Sequence, residues 1–173
     1  MTATIHLMHG FIGFGKTTIA KQLAHDLPAV RFSNDEWMIA LYGRGPHGEE
    51  NHSKYWQNIN KLQWSIIEQI VRAGGDVIID DGHWGRDWRK SDAERALKFA
   101  DRVVFHNVKC DINTARARCV ARTNSDENEL FICENTFDLL LLKFEPISDD
   151  EGFEVITYES VAKNKSQNTG KFR

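Results

Sequence analysis

The sequence predicts an α/β fold in which a parallel five-stranded sheet carries helices on both faces. Two observations carry that expectation. Short apolar runs, each followed by a segment of helical periodicity, alternate along most of the chain. Runs such as "DVIID" are apolar without a polar alternation, as strands covered on both faces are. Strands separated by helices imply βαβ units, and βαβ units imply parallel pairing.

The elements follow in order. "TIHLMH" (4–9) reads as a buried strand, and from Lys16 to His25 the apolar residues Ile19, Ala20, Leu23 and Ala24 share one helix face. "AVRF" (29–32) is a second strand and "DEWMIALY" (35–42) a helix, while "GRGPHGEE" (43–50) is a loop by its glycines and proline. Between Lys54 and Ala73, Trp56, Ile59, Leu62, Ile66, Ile67, Ile70 and Val71 fall at helical spacing. Gly74 and Gly75 then stop that helix. The strand at 76–80 is followed by a helix near 86–100, a strand at 102–109, helices at 112–123 and 134–144, and a last strand at 153–159.

Composition sets the outer limits. A chain of 173 residues, 41% hydrophobic and 27% charged, suits one soluble domain or one domain with a lid. A net charge of −3 provides no global field toward nucleic acid. The three cysteines have no C-x-x-C spacing and read as reduced thiols. No apolar run is long enough to span a membrane, and "MTATIHLMHG" lacks the basic and apolar regions of a signal peptide, so a cytoplasmic location is expected. The polar segment 160–173 reads as a disordered tail to a domain spanning 1–159.

The chemistry begins where the first strand ends. Residues 10–17 fit G-x-x-x-x-G-K-S/T, with Gly10, Gly15, Lys16 and Thr17 at the fixed positions and Gly13, Phe14 and Thr18 beside them. Glycines let backbone N–H groups turn inward around a phosphate, and the helix beginning at the lysine adds its unpaired N-terminal N–H groups. Lys16 reaches β- and γ-phosphates and the Thr17 hydroxyl can ligate Mg2+. No N-K-x-D guanine reader is present; "NKSQ" (164–167) lacks the acid, which favours ATP as donor.

Three further segments bear on phosphoryl transfer. "FSNDEWM" (32–38) follows the second strand and brings Asp35 to the sheet's carboxyl edge, as a proton acceptor or as a helix cap. "VIIDDGHWGRDWR" (77–89) ends a strand in two acids. Neighbouring strand residues point to opposite faces, so either one of Asp80 and Asp81 can reach a metal or both mark the strand's exit to solvent. In "NTARARCVARTN" (113–124), Arg118 and Arg122 share a helix face, either as a solvated surface or as a clasp over a triphosphate. His47 and His52 lie near Glu49 and Glu50, but H-x4-H across a glycine loop is poor metal-ligand spacing.

These motifs together resemble the P-loop kinases of the AAA_33 type, a group related to polynucleotide 5′-hydroxyl kinases, zeta toxins and chloramphenicol phosphotransferase. The resemblance runs from residue 5 to about 159, through "HGFIGFGKTT", "SNDEWM", "VIIDDGHWGRDWR", "ARARCVART" and the segment from Glu134 to Ile156. It implies Asp35 as general base, Asp81 as the metal-side acid with Thr17, and Arg118 and Arg122 on a lid of about 113–135. It also implies ATP and Mg2+ as cofactors. Trp37, His83 and Arg86 become candidates to face the acceptor. Nucleic-acid kinases of the group often carry an arginine shortly after the base; "EWMIAL" has none, which favours a small-molecule hydroxyl acceptor over nucleic acid. A monomer or homodimer is expected.

Overall fold

The structure, a computed structural model, describes residues 2–45, 47–125 and 134–160. Five parallel strands form one sheet in the order β2-β3-β1-β4-β5. They are β1 (Thr4–His9), β2 (Ala29–Phe32), β3 (Asp76–Ile79), β4 (Arg102–Lys109) and β5 (Glu154–Glu159). The helices between them are α1 (Lys16–Asp26), α2 (Asn34–Tyr42), α3 (Glu49–Arg72), α4 (Arg86–Ala96), α5 (Ile112–Ser125) and α6 (Glu134–Leu141). The α/β architecture is the one the sequence predicts.

Alternation along the strands divides the core into two layers. Ile5, Leu7, Val77, Ile79 and Phe105 point toward Trp64 and Ile67 of α3 and Ala93 and Ala96 of α4. Met8, Ile78 and Val108 point the other way, toward Ala20 of α1, Ala115 and Cys119 of α5, and Phe137 of α6. β1 lies at the centre and every one of its residues is buried.

The boundaries differ from expectation in instructive ways. α3 starts at Glu49, inside the segment read as loop, because Gly48 turns the chain at φ 72° and two acids then suit the positive end of a helix. Its end is as expected: Gly74, at φ 88°, closes the last turn by donating its N–H to the Val71 carbonyl. α4 stops at Ala96 rather than 100, the chain continuing as tight turns in which Phe99 N–H donates to the Ala96 carbonyl. The expected lid of about 113–135 covers α5, the first residues of α6, and a stretch outside the described residues; of the expected tail only Ser160 is described.

Between α6 and β5 the chain runs as a strap through residues 142–153, with a 3-10 turn at Asp149–Glu151. The strap joins the two layers: Phe144 packs with the α1–α5–α6 side, Ile147 and Phe153 with the α3–α4 side.

Candidate active site

The glycine loop leaves the buried end of β1 and its backbone follows from close contacts. At Gly13 the φ is 79°, and a Cβ would stand 2.4 Å from the Ala115 carbonyl oxygen, so a side chain is excluded twice over. Gly15, at φ 96°, precedes α1 without a side-chain cap, and the first turn of α1 holds no acid. The anion-binding end of that helix is therefore not filled by a carboxylate of its own.

The loop is fastened from below. Gly10 donates its N–H to the Gly82 carbonyl (3.3 Å) and accepts from Trp84 Nε1 (3.1 Å). His9 donates from Nδ1 to the His83 carbonyl (3.0 Å) and accepts the Ile147 N–H at Nε2 (3.2 Å), which fixes it as neutral imidazole. Burial pushes its pKa down to about 4. Phe11 and Phe14, at variable positions of the motif, are buried. Phe11 packs on Phe137, Phe144 and Trp84 at ring separations of 5.1, 5.5 and 5.2 Å, and Phe14 on Phe144 at 5.7 Å.

Lys16 sits among charges. Its ammonium donates to the Phe11 carbonyl (3.0 Å). Burial lowers its pKa, the carboxylates of Asp80, Asp35 and Asp81 oppose that shift in decreasing order, and Arg122 reinforces it. The three acids and one arginine singled out in separate segments of the sequence thus act on one ammonium.

Asp80 and Asp81 divide as their alternation requires. Asp80 Oδ1 lies 3.5 Å from Thr17 Oγ1, so the acid beside the motif's hydroxyl is Asp80, where the family resemblance implied Asp81 and the spacing left both open. Asp81 accepts from Asn34 Nδ2 (2.6 Å) and from the Gly82 N–H (2.7 Å), and burial raises its pKa. A hydroxyl and a carboxylate oxygen are hard donors suited to Mg2+. Among the described residues no group of three or more His, Cys, Asp or Glu could hold a metal unaided.

Asp35 stands exposed in the first turn of α2. The capping role open to it in the sequence belongs to Ser33, whose Oγ accepts the Glu36 N–H (3.4 Å). Beside it lies a group the sequence reading missed. Arg31, on β2, donates from Nε and Nη2 to Asp80 Oδ2 (3.0 and 2.8 Å) and from Nη1 and Nη2 to Glu36 (3.0 and 2.7 Å). An arginine in the four-residue strand "AVRF" was the available signal.

The lid arginines separate. Arg118 Nη1 donates to the Gly13 carbonyl (3.2 Å) and to Ser160 Oγ (2.9 Å), holding α5 to the back of the loop. Arg122, one turn on, lies close enough to Lys16 to disfavour its charge. Arg116 pairs with Asp138 and covers the Phe137 ring, binding α5 to α6.

The three residues expected to face an acceptor have partners within the protein. Trp37 packs against Phe32 and the α3–α4 core layer. His83 is fully buried at φ 44°, bonding through Nδ1 to the Met8 carbonyl (2.8 Å) and through Nε2 to Asp92 (3.2 Å). Burial lowers its pKa but the Asp92 carboxylate outweighs that and holds it above the ordinary value. Arg86 pairs with Asp150 on the strap (2.8 Å). Arg89, one turn beyond Arg86, is buried: it grips Glu151 through two bonds of 2.7 Å and donates to the His83, Trp84 and Glu145 carbonyls. With Glu145, Ser148 and Glu151, Arg86 and Arg89 border a cavity of about 340 Å3 lined by no residue of the glycine loop.

Aromatic pairs join α2 to α3 and α3 to α4. Tyr42 stacks on Tyr55 (3.8 Å, 5° between planes), and Trp56 meets Trp88 edge-on (5.4 Å). No helix among the described residues is long and apolar enough to cross a membrane.

Residues 5–147 match the AAA_33 family, described as an AAA domain. Similar solved structures include a protein of Chloroflexus aurantiacus J-10-fl (TM-score 0.73, 16% identity, 92% of this chain and 89% of that one). A sugar kinase from Janibacter sp. HTCC2649 aligns with TM-score 0.59 and 19% identity over 92% and 86%. Kti12 of Chaetomium thermophilum, solved in complex with ADP-AlF3, aligns with TM-score 0.63 and 14% identity over 94% and 91%. At these identities the likeness concerns the fold. No curated protein matches the sequence.

Proposed function

The chain belongs to the AAA_33 family, and on that premise we propose that it is a P-loop kinase moving the γ-phosphate of ATP to a hydroxyl of a small molecule. The observation that carries this reading is the convergence of Asp80, Asp35, Asp81 and Arg122 on the ammonium of Lys16, at the mouth of an uncapped helix. A passive nucleotide binder has no need of an exposed carboxylate beside that lysine.

The acceptor oxygen attacks the γ-phosphorus in line as the bond to the β-phosphate bridging oxygen breaks, and ADP leaves. Asp35, relieved of capping by Ser33, takes the hydroxyl proton. Lys16 and Arg122 face the phosphate oxygens on which charge spreads, while Arg118 fixes α5 against the loop. Thr17 and Asp80 would hold Mg2+, which when bound neutralises the β- and γ-phosphates. The kinase unit is taken as residues 1–159 with a lid of about 113–135. A small acceptor is favoured by the net charge of −3 and by the absence of a cation in "EWMIAL" after the base. The sugar-kinase fold of one neighbour is compatible with that choice.

Transfer from γ-labelled ATP to small-molecule and nucleic-acid fractions of a cell extract, wild type beside Asp35→Asn, tests the reading. Label in the small-molecule fraction, reduced by about 10²–10⁴-fold in the variant, is the expected result. An undiminished rate would remove Asp35 as base. Labelled oligonucleotide, falling steeply with salt, would move the acceptor to nucleic acid.

A further inference from the structure

Asp35 stands in the first turn of α2, and the residues on either side of it are both tied to the acid pair that ends β3. Asn34, which is buried, donates from Nδ2 to Asp81 Oδ2 (2.6 Å). Glu36 accepts from Nη1 and Nη2 of Arg31 (3.0 and 2.7 Å), and the same guanidinium donates from Nε and Nη2 to Asp80 Oδ2 (3.0 and 2.8 Å). The inner end of this second tie is enclosed, the Arg31 and Asp80 side chains being 12% and 2% exposed, while that of Glu36 is 47% exposed.

The two ties pull in different directions. Successive residues are turned by about 100° around a helix axis, so side chains 34 and 36 leave it on either side of residue 35. One tie would leave the turn free to roll about its axis, whereas two fix its rotation as well as its distance from β3. The turn has few other anchors. β2, which leads into it, is a four-residue edge strand paired on one side only, and the Ser33 capping bond is long at 3.4 Å. Asn34 Oδ1, moreover, is buried with no hydrogen-bond partner among the described residues. A buried carbonyl without a donor costs stability, so the amide is explained by its bond to Asp81 rather than by its packing.

We propose that Asn34 and the Arg31–Glu36 pair are positioning residues that aim the Asp35 carboxylate at the acceptor hydroxyl. The two adjacent acids of β3 each hold one side of the base. The proposal rests on the reading of Asp35 as general base.

The test is a set of double-mutant cycles with Asp35→Asn. The rate is transfer of label from saturating γ-labelled ATP to the fraction of cell extract that accepts it, and calorimetry follows ATP binding. Glu36→Ala cuts one tie at its exposed end and leaves Arg31 on Asp80; Asn34→Ala cuts the other. Each should slow transfer about tenfold and change ATP affinity less than about twofold, because a misplaced base costs rate and not donor binding. Glu36→Gln, which still accepts from the guanidinium, should recover part of the rate. In the Asp35→Asn background neither cut should slow transfer further, since each acts through Asp35 alone. Equal losses in both backgrounds, or losses matched by weaker ATP binding, would make the ties merely structural and overturn the proposal. Unchanged rates beside a slow Asp35→Asn would overturn it and leave Asp35 as base. If wild type transfers no label, or Asp35→Asn transfers as fast as wild type, the reading beneath falls and the proposal with it. Should Asn34→Ala not fold, Glu36→Ala, a change at a half-exposed side chain, decides on the same criteria.

Discussion

The glycine loop and the turn after α2 both use glycine at positive φ, for different reasons. At Gly13 the neighbouring helix presses a carbonyl to within 2.4 Å of where a Cβ would be; at Gly43, φ 83°, no atom lies within 4 Å. The first loop is held by packing against a neighbouring helix, the second by hydrogen bonds from the Gly43 N–H to the Ile39 carbonyl (2.9 Å) and from His47 Nε2 to the Gly43 carbonyl (3.0 Å). The difference extends to the surroundings: below the glycine loop lie buried hydrogen bonds and an aromatic cluster, while Leu41 and Tyr42 before the Gly43 turn are exposed. A loop pressed against a helix is fixed in place, whereas an exposed turn can be refitted without disturbing the sheet.

The contrast would be broken most directly by Arg89→Met. Removing the guanidinium leaves Glu151 buried and unpaired and frees three carbonyls, so a loss of about 3–5 kcal/mol in chemical denaturation is expected. A loss comparable to that of an exposed pair, under about 1 kcal/mol, would mean the strap does not fasten the donor side.

Acidification acts on the same region. His9 and His106 are both held near 4 by burial, and His6, bonded to His106 (2.9 Å), is lowered too. The unfolded chain therefore takes up protons first. The stability these groups supply is present above about pH 6.5 and is lost as pH falls toward 4, by up to about 3 kcal/mol for each of His9 and His106. His83 has the opposite sign: its raised pKa supplies stability that is fully present below about 6.5 and lost as pH rises, so on acidification it offsets part of the loss near neutrality and none of the further loss below that. Denaturation midpoints between pH 7 and 4.5 should fall, and His9→Asn should flatten the slope.

Matched glycine substitutions sharpen the comparison. Gly13→Ala should cost about 2–3 kcal/mol and weaken ATP binding, because α5 must move; Gly43→Ala should cost only the dihedral strain of about 1–2 kcal/mol and leave ATP binding unchanged. Calorimetry with ATP separates them. The smallest effect belongs to Tyr55→Leu, which removes a stacked pair worth about 0.5–1.5 kcal/mol and should alter KM for the acceptor but not for ATP.

What could be read beforehand follows the same division. The strands, their parallel pairing and the glycine loop rest on periodicity and on a glycine-lysine motif whose chemistry is local, so the fold class was legible, whereas the strand order β2-β3-β1-β4-β5 was not. The capping of α2 was decided by one hydroxyl, Ser33, that sequence alone could not rank above Asp35. Which of two adjacent acids faces Thr17 depends on strand register, invisible in "IIDD". The partners of His83 and Arg86, Asp92 and Asp150, were not legible because α4 and the strap bring them in, and Arg31 was missed because its partner Asp80 lies 49 residues away.

The packing of Phe11 and Phe14 against Phe137 and Phe144 bears on how this sequence can drift. The motif leaves positions 11 and 14 unspecified, yet in this chain each fills a volume shared with α6 and the strap. Substitutions there are expected to be tolerated only in company, a smaller ring at 14 admitting a larger residue at 144. Among descendants of this chain, the unspecified positions of the phosphate loop and residues 137 and 144 should vary together.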